Sequence, residues 1–365
     1  MVCDAQEDHV NTAHIRHHTR DGTTTLPRTL LSFPLVGLLH HKDSEMKLGS
    51  EDVETDGLQV LLASDTVTRR QLAVKVIKKR VVVEEDMIRS VLVEREALQA
   101  VRTPFVVRGL FAFQTEELLF LGMEYANGGD LHDLLERTGA LDLNTATFYA
   151  AEIVCGLEHL HSKGYIHRSL FYLEDLPFYK DIKPEYILID GAGHIKIADL
   201  GLVLNNMHEG DVATEYAGTT GYIAPEMEDF LEYNTAADWF SFGVVLFQML
   251  TGQSPEDSRL VGLLDFSLDP DAEDIIEKLL CEDPDKCLGV DCVIRDHPFF
   301  LSMDWERLEA RKIPPPFIPS KCTVIPLSHR LRRVAHGSLT RVLPACDLPQ
   351  APRRSCPQPG ILPDW

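Results

Sequence analysis

The sequence predicts an α+β chain in two lobes, a small antiparallel sheet followed by a larger helical part. Three observations carry this. Two strand-like runs, Leu58-Gln-Val60-Leu-Leu-Ala and Gln71-Leu-Ala73-Val-Lys75-Val-Ile, flank a polar loop and read as a hairpin. Beyond residue 140, apolar residues recur at helical spacing. The change of period falls at Tyr125 to Gly129, where Gly128-Gly129 makes a natural join. A ligand pocket between two such lobes is the expectation.

In order along the chain, residues 1–50 are polar and rich in histidine, without a sustained period, and are expected to be largely disordered. Within them the apolar run 30–39 is about half the roughly 20 residues of a spanning helix and is broken by Pro34, so it reads as a buried or partner-binding segment. Residues 84–101 turn helical, with Met87, Val91, Val93, Leu98 and Val101 among the apolar positions, and 105–113 and 118–123 are strand-like. In the helix expected over 144–161, Phe148, Ala151, Val154 and Leu157 fall on one face, with Asn144 as N-cap. Residues 239–250 are almost wholly apolar, which at that length means a buried core helix. Shorter helices are expected at 272–280 and 304–311, and from residue 314 proline, arginine and serine accumulate without a packed pattern. The expected units are an extension (1–50), a small lobe (51–126), a large lobe (127–317) and a disordered basic, proline-rich tail (318–365).

A net charge of −22 argues against nucleic acid or an anionic membrane as partner and suits a chain that receives basic peptides or magnesium. The eight cysteines form no C-x-x-C pair, and Cys281, Cys287 and Cys292 with His297 lack the spacing of a common zinc site. No secretory signal opens the sequence, so a reduced, cytoplasmic compartment is expected.

The most informative stretch reads His167-Arg168, then Asp181-Ile-Lys183-Pro-Glu185-Tyr186-Ile-Leu188, then Ala-Asp199-Leu200-Gly201. Upstream stand Ala73-Val74-Lys75 and, nineteen residues on, Glu94. Downstream come Ala217-Gly218-Thr219-Thr220-Gly221-Tyr222-Ile-Ala224-Pro225-Glu226 and Asp238-Trp-Phe-Ser-Phe-Gly243. In this order they resemble the signature blocks of protein kinases. Asn127-Gly-Gly-Asp130-Leu-His, with Trp305-Glu-Arg-Leu-Glu and Ile313-Pro-Pro-Pro-Phe317, resembles the basophilic AGC group, near its ribosomal S-six kinase-related members. The resemblance covers roughly residues 58–317.

The resemblance implies the bilobal protein-kinase fold and transfer of the γ-phosphoryl group of Mg-ATP to serine or threonine. It makes Asp181 the residue that orients the substrate hydroxyl, Lys183 the partner of the γ-phosphate, and Asp199 the main magnesium ligand. Lys75, oriented by Glu94, would hold the α- and β-phosphates. Glu124 and Ala126 would offer backbone groups to adenine, with Val60, Ala73 and Leu188 around the ring and Asp130 at the ribose. Asp130 and Glu185 match positions that take a substrate arginine, so protein substrates with basic residues before the target Ser or Thr are expected, for a monomeric enzyme. A plain helix N-cap is a further reading of Asp130, compatible with both roles.

The sequence also departs from the pattern. Twelve extra residues, 169–180, part His167-Arg168 from Asp181, and Tyr179-Lys180-Asp181 could leave them looped out. Lengthening a loop costs only about 0.6 kcal/mol per doubling, whereas misplacing a catalytic group by about 1 Å costs on the order of a hundredfold in rate. Tyr186 stands for the asparagine of the second metal site, a poor magnesium ligand. The phosphate loop retains only Gly57 among Glu51, Asp52, Glu54 and Asp56. Cys287 stands for the arginine that meets Glu226, and Gln248 for an arginine-reading acid. Glu215 replaces a phosphorylated threonine and is either a built-in mimic or an ordinary exposed acid. Arg330-Leu-Arg332-Arg333-Val-Ala335 looks like a basic substrate lacking its acceptor, a pseudosubstrate or an unstructured basic tail. Two readings follow: an active serine/threonine kinase, or a catalytically impaired pseudokinase or splice form that acts as a scaffold.

Overall fold

In the computed structural model the residues described are 25–26, 46–48, 58–65, 68–84, 87–167, 184–201, 203–205, 207, 211–213, 222, 224–229, 231–253, 268–290 and 292–319. The small lobe is built from β1 (Thr25–Leu26), β2 (Met46–Leu48), β3 (Leu58–Asp65), β4 (Gln71–Lys78), α1 (Lys79–Glu84), α2 (Ile88–Ala100), β5 (Gly109–Gln114) and β6 (Leu118–Glu124). Its sheet runs β1-β2-β3-β4-β6-β5 and is antiparallel throughout. The hairpin expected over the two strand-like runs is β3–β4. Asp65 closes its turn, accepting from the Thr68 N–H at 2.6 Å.

Register sorts the side chains of this sheet. Val60 lies opposite Lys75, and Ala73 opposite both Leu62 and Met123. Directly opposed residues share a face, so Val60, Leu62, Ala73, Lys75 and Met123 point one way. The other face carries its own apolar layer of Leu61, Ala63, Leu72, Val74, Val76, Phe111, Phe113 and Phe120, with Phe113 and Phe120 stacked at 4.4 Å between centroids. Helix α2 lies against β5, where a Cβ on Gly109 would come within 2.9 Å of the Leu98 Cβ.

The large lobe follows β7 (Gly129–Asp130) with α3 (Leu131–Thr138), α4 (Leu143–Ser162), β8 (Ile187–Ile189), β9 (Ile195–Ile197), α5 (Pro225–Glu228), α6 (Ala236–Thr251), α7 (Pro270–Leu279) and α8 (Trp305–Glu309). β7, β8 and β9 form a second antiparallel sheet. α4 and α6 are apolar on nearly every side and form the buried centre. The lobes are stitched by backbone: Val107 N–H donates to Ile197 and Ile197 N–H to Phe105, both at 2.8 Å. No helix among the described residues is long and apolar enough to cross a membrane.

The structure differs from the sequence expectation at five places. Two of the sheet's strands, β1 and β2, lie inside residues 1–50, because edge pairing uses backbone groups and leaves little side-chain signal. The helix expected over 84–101 begins later, as α2 at Ile88, and an unexpected short helix, α1, precedes it. Of 105–113 only 109–114 is strand, since Phe105 and Val106 are spent on β9. Asp142, not Asn144, caps α4, accepting from the Thr145 N–H at 3.1 Å and its hydroxyl at 2.7 Å. Residues 314–317 are packed: Phe317 lies against the core, and its carbonyl and Pro315 crowd Gly193.

That crowding yields a graded test. Gly139 and Gly193 both have positive φ, +72° and +95°, but a Cβ on Gly139 would meet nothing within 4 Å, whereas one on Gly193 would sit 2.0 Å from the Phe317 oxygen. Gly139→Ala is expected to cost about 1 kcal/mol. Gly193→Ala is expected at the top of the roughly 1–3 kcal/mol range of backbone strain, because the 313–317 segment must also shift. Urea unfolding of the two variants measures the difference, and equal losses would contradict the packing of that segment.

Candidate active site

Lys75 sits mid-strand in β4 with only 3 % of its surface exposed. A buried ammonium is tolerated only with matched charge, and α2 supplies it: the Lys75 Nζ pairs with the Glu94 carboxylate, itself 3 % exposed. Asp199 Oδ1 lies 3.4 Å from the same nitrogen. Asp199 follows β9 with φ at +62°, a left-handed conformation that Asp adopts more readily than most residues. The turn is closed by the Gly201 N–H, 3.4 Å from the same Oδ1. Three elements, β4, α2 and the turn after β9, thus converge on one ammonium.

The connection between the lobes is polar and specific. Glu124 ends β6, and its carboxylate accepts from the Arg108 N–H at 2.9 Å and from Lys196 Nζ at 3.0 Å. Lys196 also donates to the Pro104 carbonyl at 2.7 Å. Ala126 is buried, and the Gly128 N–H donates to Ile189 at 2.7 Å. Asp130 caps α3, accepting from the Asp133 N–H at 2.8 Å, the helix-cap reading that is compatible with its other expected roles. Glu185 lies in the 3-10 turn Pro184–Tyr186, which packs on α3, and Leu188 in β8 pairs with Asp130. Asp130, Glu185 and Leu188 therefore share the large-lobe side of the interlobe join. Val60 and Ala73 share the Lys75 face of the small-lobe sheet.

Asp238 of α6 anchors the approach to the catalytic stretch. It is fully buried and accepts from the His167 N–H and from His161 Nε2, each at 2.8 Å. Burial pushes the His167 imidazole below its ordinary value, and its Nε2 lies 3.2 Å from the Ala198 carbonyl. Sequence reasoning placed Asp238 in a buried motif without its two histidine partners, and it missed the Lys196–Glu124 pair. A lysine inside the apolar alternation of Ile195-Lys-Ile197 was the available signal.

Asp181, Lys183 and Glu215, with the insertion 169–180, the acidic loop 51–57 and the basic run 330–335, lie outside the described residues. What is described fits a magnesium nucleotide at one metal position. Magnesium is commonly held by one or two protein carboxylates, with phosphates and water completing the shell; Asp199 is such a carboxylate, next to the Lys75 ammonium. No cluster of three or more His, Cys, Asp or Glu side chains among the described residues could hold a metal unaided. Tyr186, in the position the resemblance gives to an asparagine, is buried, and its carbonyl accepts from the Ala198 N–H at 2.8 Å. Gln248 accepts from the Tyr222 hydroxyl at 2.7 Å, so it is a packing group here.

Residues 56–300 match the protein kinase domain family. The chain is 42 % identical over 273 residues to the protein kinase C delta type of Mus musculus, covering 72 % of this chain and 39 % of that protein. It is 38 % identical over 260 residues to the RAC family serine/threonine-protein kinase homolog of Dictyostelium discoideum, covering 68 % and 56 %. It is 34 % identical over 276 residues to the RAC-beta serine/threonine-protein kinase A of Xenopus laevis, covering 72 % and 54 %. The chain thus spans between 39 % and 56 % of the length of these relatives. They support the AGC group and carry no particular nearness to its ribosomal S-six kinase-related members. By the extent of that match and the identity to these relatives, the chain belongs to the protein kinase domain family, within the AGC group.

Proposed function

We propose that the chain is a cytoplasmic serine/threonine protein kinase that transfers the γ-phosphoryl group of ATP to protein substrates with basic residues before the acceptor. The observation that carries this is the buried Lys75–Glu94 pair with Asp199 beside it. Such an arrangement keeps an ammonium positioned for phosphate oxygens and a carboxylate positioned for a metal. Bound magnesium would neutralise charge on the phosphates. Lys75 holds and orients the nucleotide, Asp199 carries the metal, Asp181 orients the acceptor hydroxyl, and Lys183 stabilises the transferring group. Val60, Ala73, Leu188 and the backbone at Glu124 and Ala126 enclose the base, and Asp130 serves the ribose. Asp130 and Glu185 receive the substrate arginine. The free thiols of Cys155, Cys281 and Cys287 support the reducing compartment.

A second reading, a nucleotide-binding scaffold without transfer, is favoured by the buried Tyr186. The two separate by experiment. Under the enzyme reading, Mg-ATP raises the melting temperature and labelled phosphate passes to an arginine-flanked serine peptide, with Asp181→Ala lowering the rate about a hundredfold or more. Stabilisation by nucleotide without transfer in the native chain would establish the scaffold instead.

The ion pair gives a stability test independent of activity. Glu94→Gln strands a buried ammonium and is expected to cost about 3 kcal/mol, the lower end for a broken buried pair because Asp199 remains near. Adding Lys75→Met should recover part of that loss, read as a non-additive double-mutant cycle by urea unfolding. For specificity, Glu185→Ala is expected to raise KM about tenfold for the arginine-bearing peptide and to leave an arginine-free peptide unchanged.

A further inference from the structure

Glu226, the second residue of α5, is 6 % exposed, and its Oε1 is buried with no hydrogen-bond partner. Among the described residues no charged side chain is paired with it. Burial pushes its carboxyl up from the ordinary 4.5, opposed only by its own backbone N–H. The titratable neighbour is Cys287, 1 % exposed, whose thiol is directed to the carbonyls of Leu279 at 3.4 Å and Leu288 at 3.6 Å. Burial is the main influence holding that thiol up at about 12, so it brings no charge. Lys286, next to it, extends into solvent and is bound to Asp283 at 2.5 Å. Asp229, closing α5, is exposed and adds only negative charge. On α6, Asp238 is taken up by His161 and His167.

The flanking segment is otherwise well attached. The Ser241 hydroxyl donates to the Tyr222 carbonyl at 2.9 Å, and Leu231 N–H donates to the Glu226 carbonyl at 2.8 Å. Tyr233 exchanges two backbone bonds with Ala213. Against these attachments stands the buried, unpartnered Oε1 of Glu226.

We infer that Glu226 is a proton-operated latch: as the neutral acid it stays packed in the large lobe beside Cys287, and as the carboxylate it is driven toward water, loosening residues 222–233. The folded chain holds this proton at a pH where the unfolded chain has released it. The stability it contributes is therefore full below about 4.5 and is lost as pH rises through the higher folded-state value. The segment begins inside the kinase-like block 217–226, so loosening it would act on the lobe proposed to receive the substrate. The inference concerns packing and stands apart from the proposed activity.

The test compares the full chain with its Glu226→Gln variant by thermal unfolding between about pH 4.5 and 8.5. Glutamine keeps the shape and cannot ionise. The expected result is a gap that opens with rising pH, reaching roughly 2–4 °C in favour of the variant, with slower hydrogen exchange in peptides from 222–233. Parallel melting curves, or a variant less stable by a constant amount, overturn the latch. Should the variant fail to fold, the 13C shift of the carboxyl assigned to Glu226 in the native chain decides: titration well above 4.5 supports the latch, and titration at or below 4.5 overturns it.

Discussion

The arrangement depends on the charge of Lys75. An ammonium removed from water is costly in itself, and the idealised transfer penalty is of order 20 kcal/mol before relaxation and pairing. The fold meets that cost from two directions, with Glu94 on a helix and Asp199 on a turn of the other lobe. The consequence is positional. α2 cannot drift from the sheet without stranding a charge on each side, and the turn at Asp199 is drawn to the small lobe. One electrostatic requirement thus sets the distance between three elements that apolar packing alone would leave free to slide.

Polar groups at the lobe junction extend the same logic. Lys196 and Glu124 join β9 to the end of β6, and Lys196 also holds the Pro104 carbonyl. With the backbone bonds between Ile197 and residues 105–107, they fix the large-lobe sheet to the root of the small lobe. Below, Asp238 holds the last described residue before the catalytic stretch by its backbone N–H. A loop insertion is cheap in chain entropy, and the twelve residues at 169–180 enter between two such anchors, His167 on one side and the turn at Pro184 on the other. The contacts that hold His167 and the turn at Pro184 are themselves made among the described residues.

Much of this was legible in the sequence, for identifiable reasons. The β3–β4 hairpin, α4 and α6 carry strong periodicity because each buries a large apolar surface. Lys75, Glu94 and Asp199 were legible through the order and spacing of the kinase-like blocks, since a lysine ending a strand is common and signals little alone. β1 and β2 were not, since short edge strands are held by backbone bonds that leave no side-chain pattern. Nor was the docking of Phe317, where proline-rich composition resembles that of an unpacked tail. The cap of α4 was misplaced by two residues because Asp142 and Asn144 have equal chemistry, and only geometry chooses between them. The partners of Asp238 could not be read, because pairs 71 and 77 residues apart lie outside any local window.

Two buried carboxylates, Glu94 and Glu226, make the final contrast. Both are at most 6 % exposed. Glu94 is half of a matched pair with a lysine, whereas the neighbour of Glu226 is a thiol that cannot share its charge. The same side chain is therefore a rigid strut in one lobe and a titratable weak point in the other. The matched pair lies at the proposed nucleotide site and the unmatched acid in the lobe proposed to receive the substrate. Loss of compensation at Glu226 is thus compatible with an intact nucleotide pocket. Of the departures from the family pattern, the lost partner of Glu226 lies in the lobe proposed to receive the substrate, whereas Tyr186 and the acidic stretch with Gly57 fall on the proposed nucleotide side.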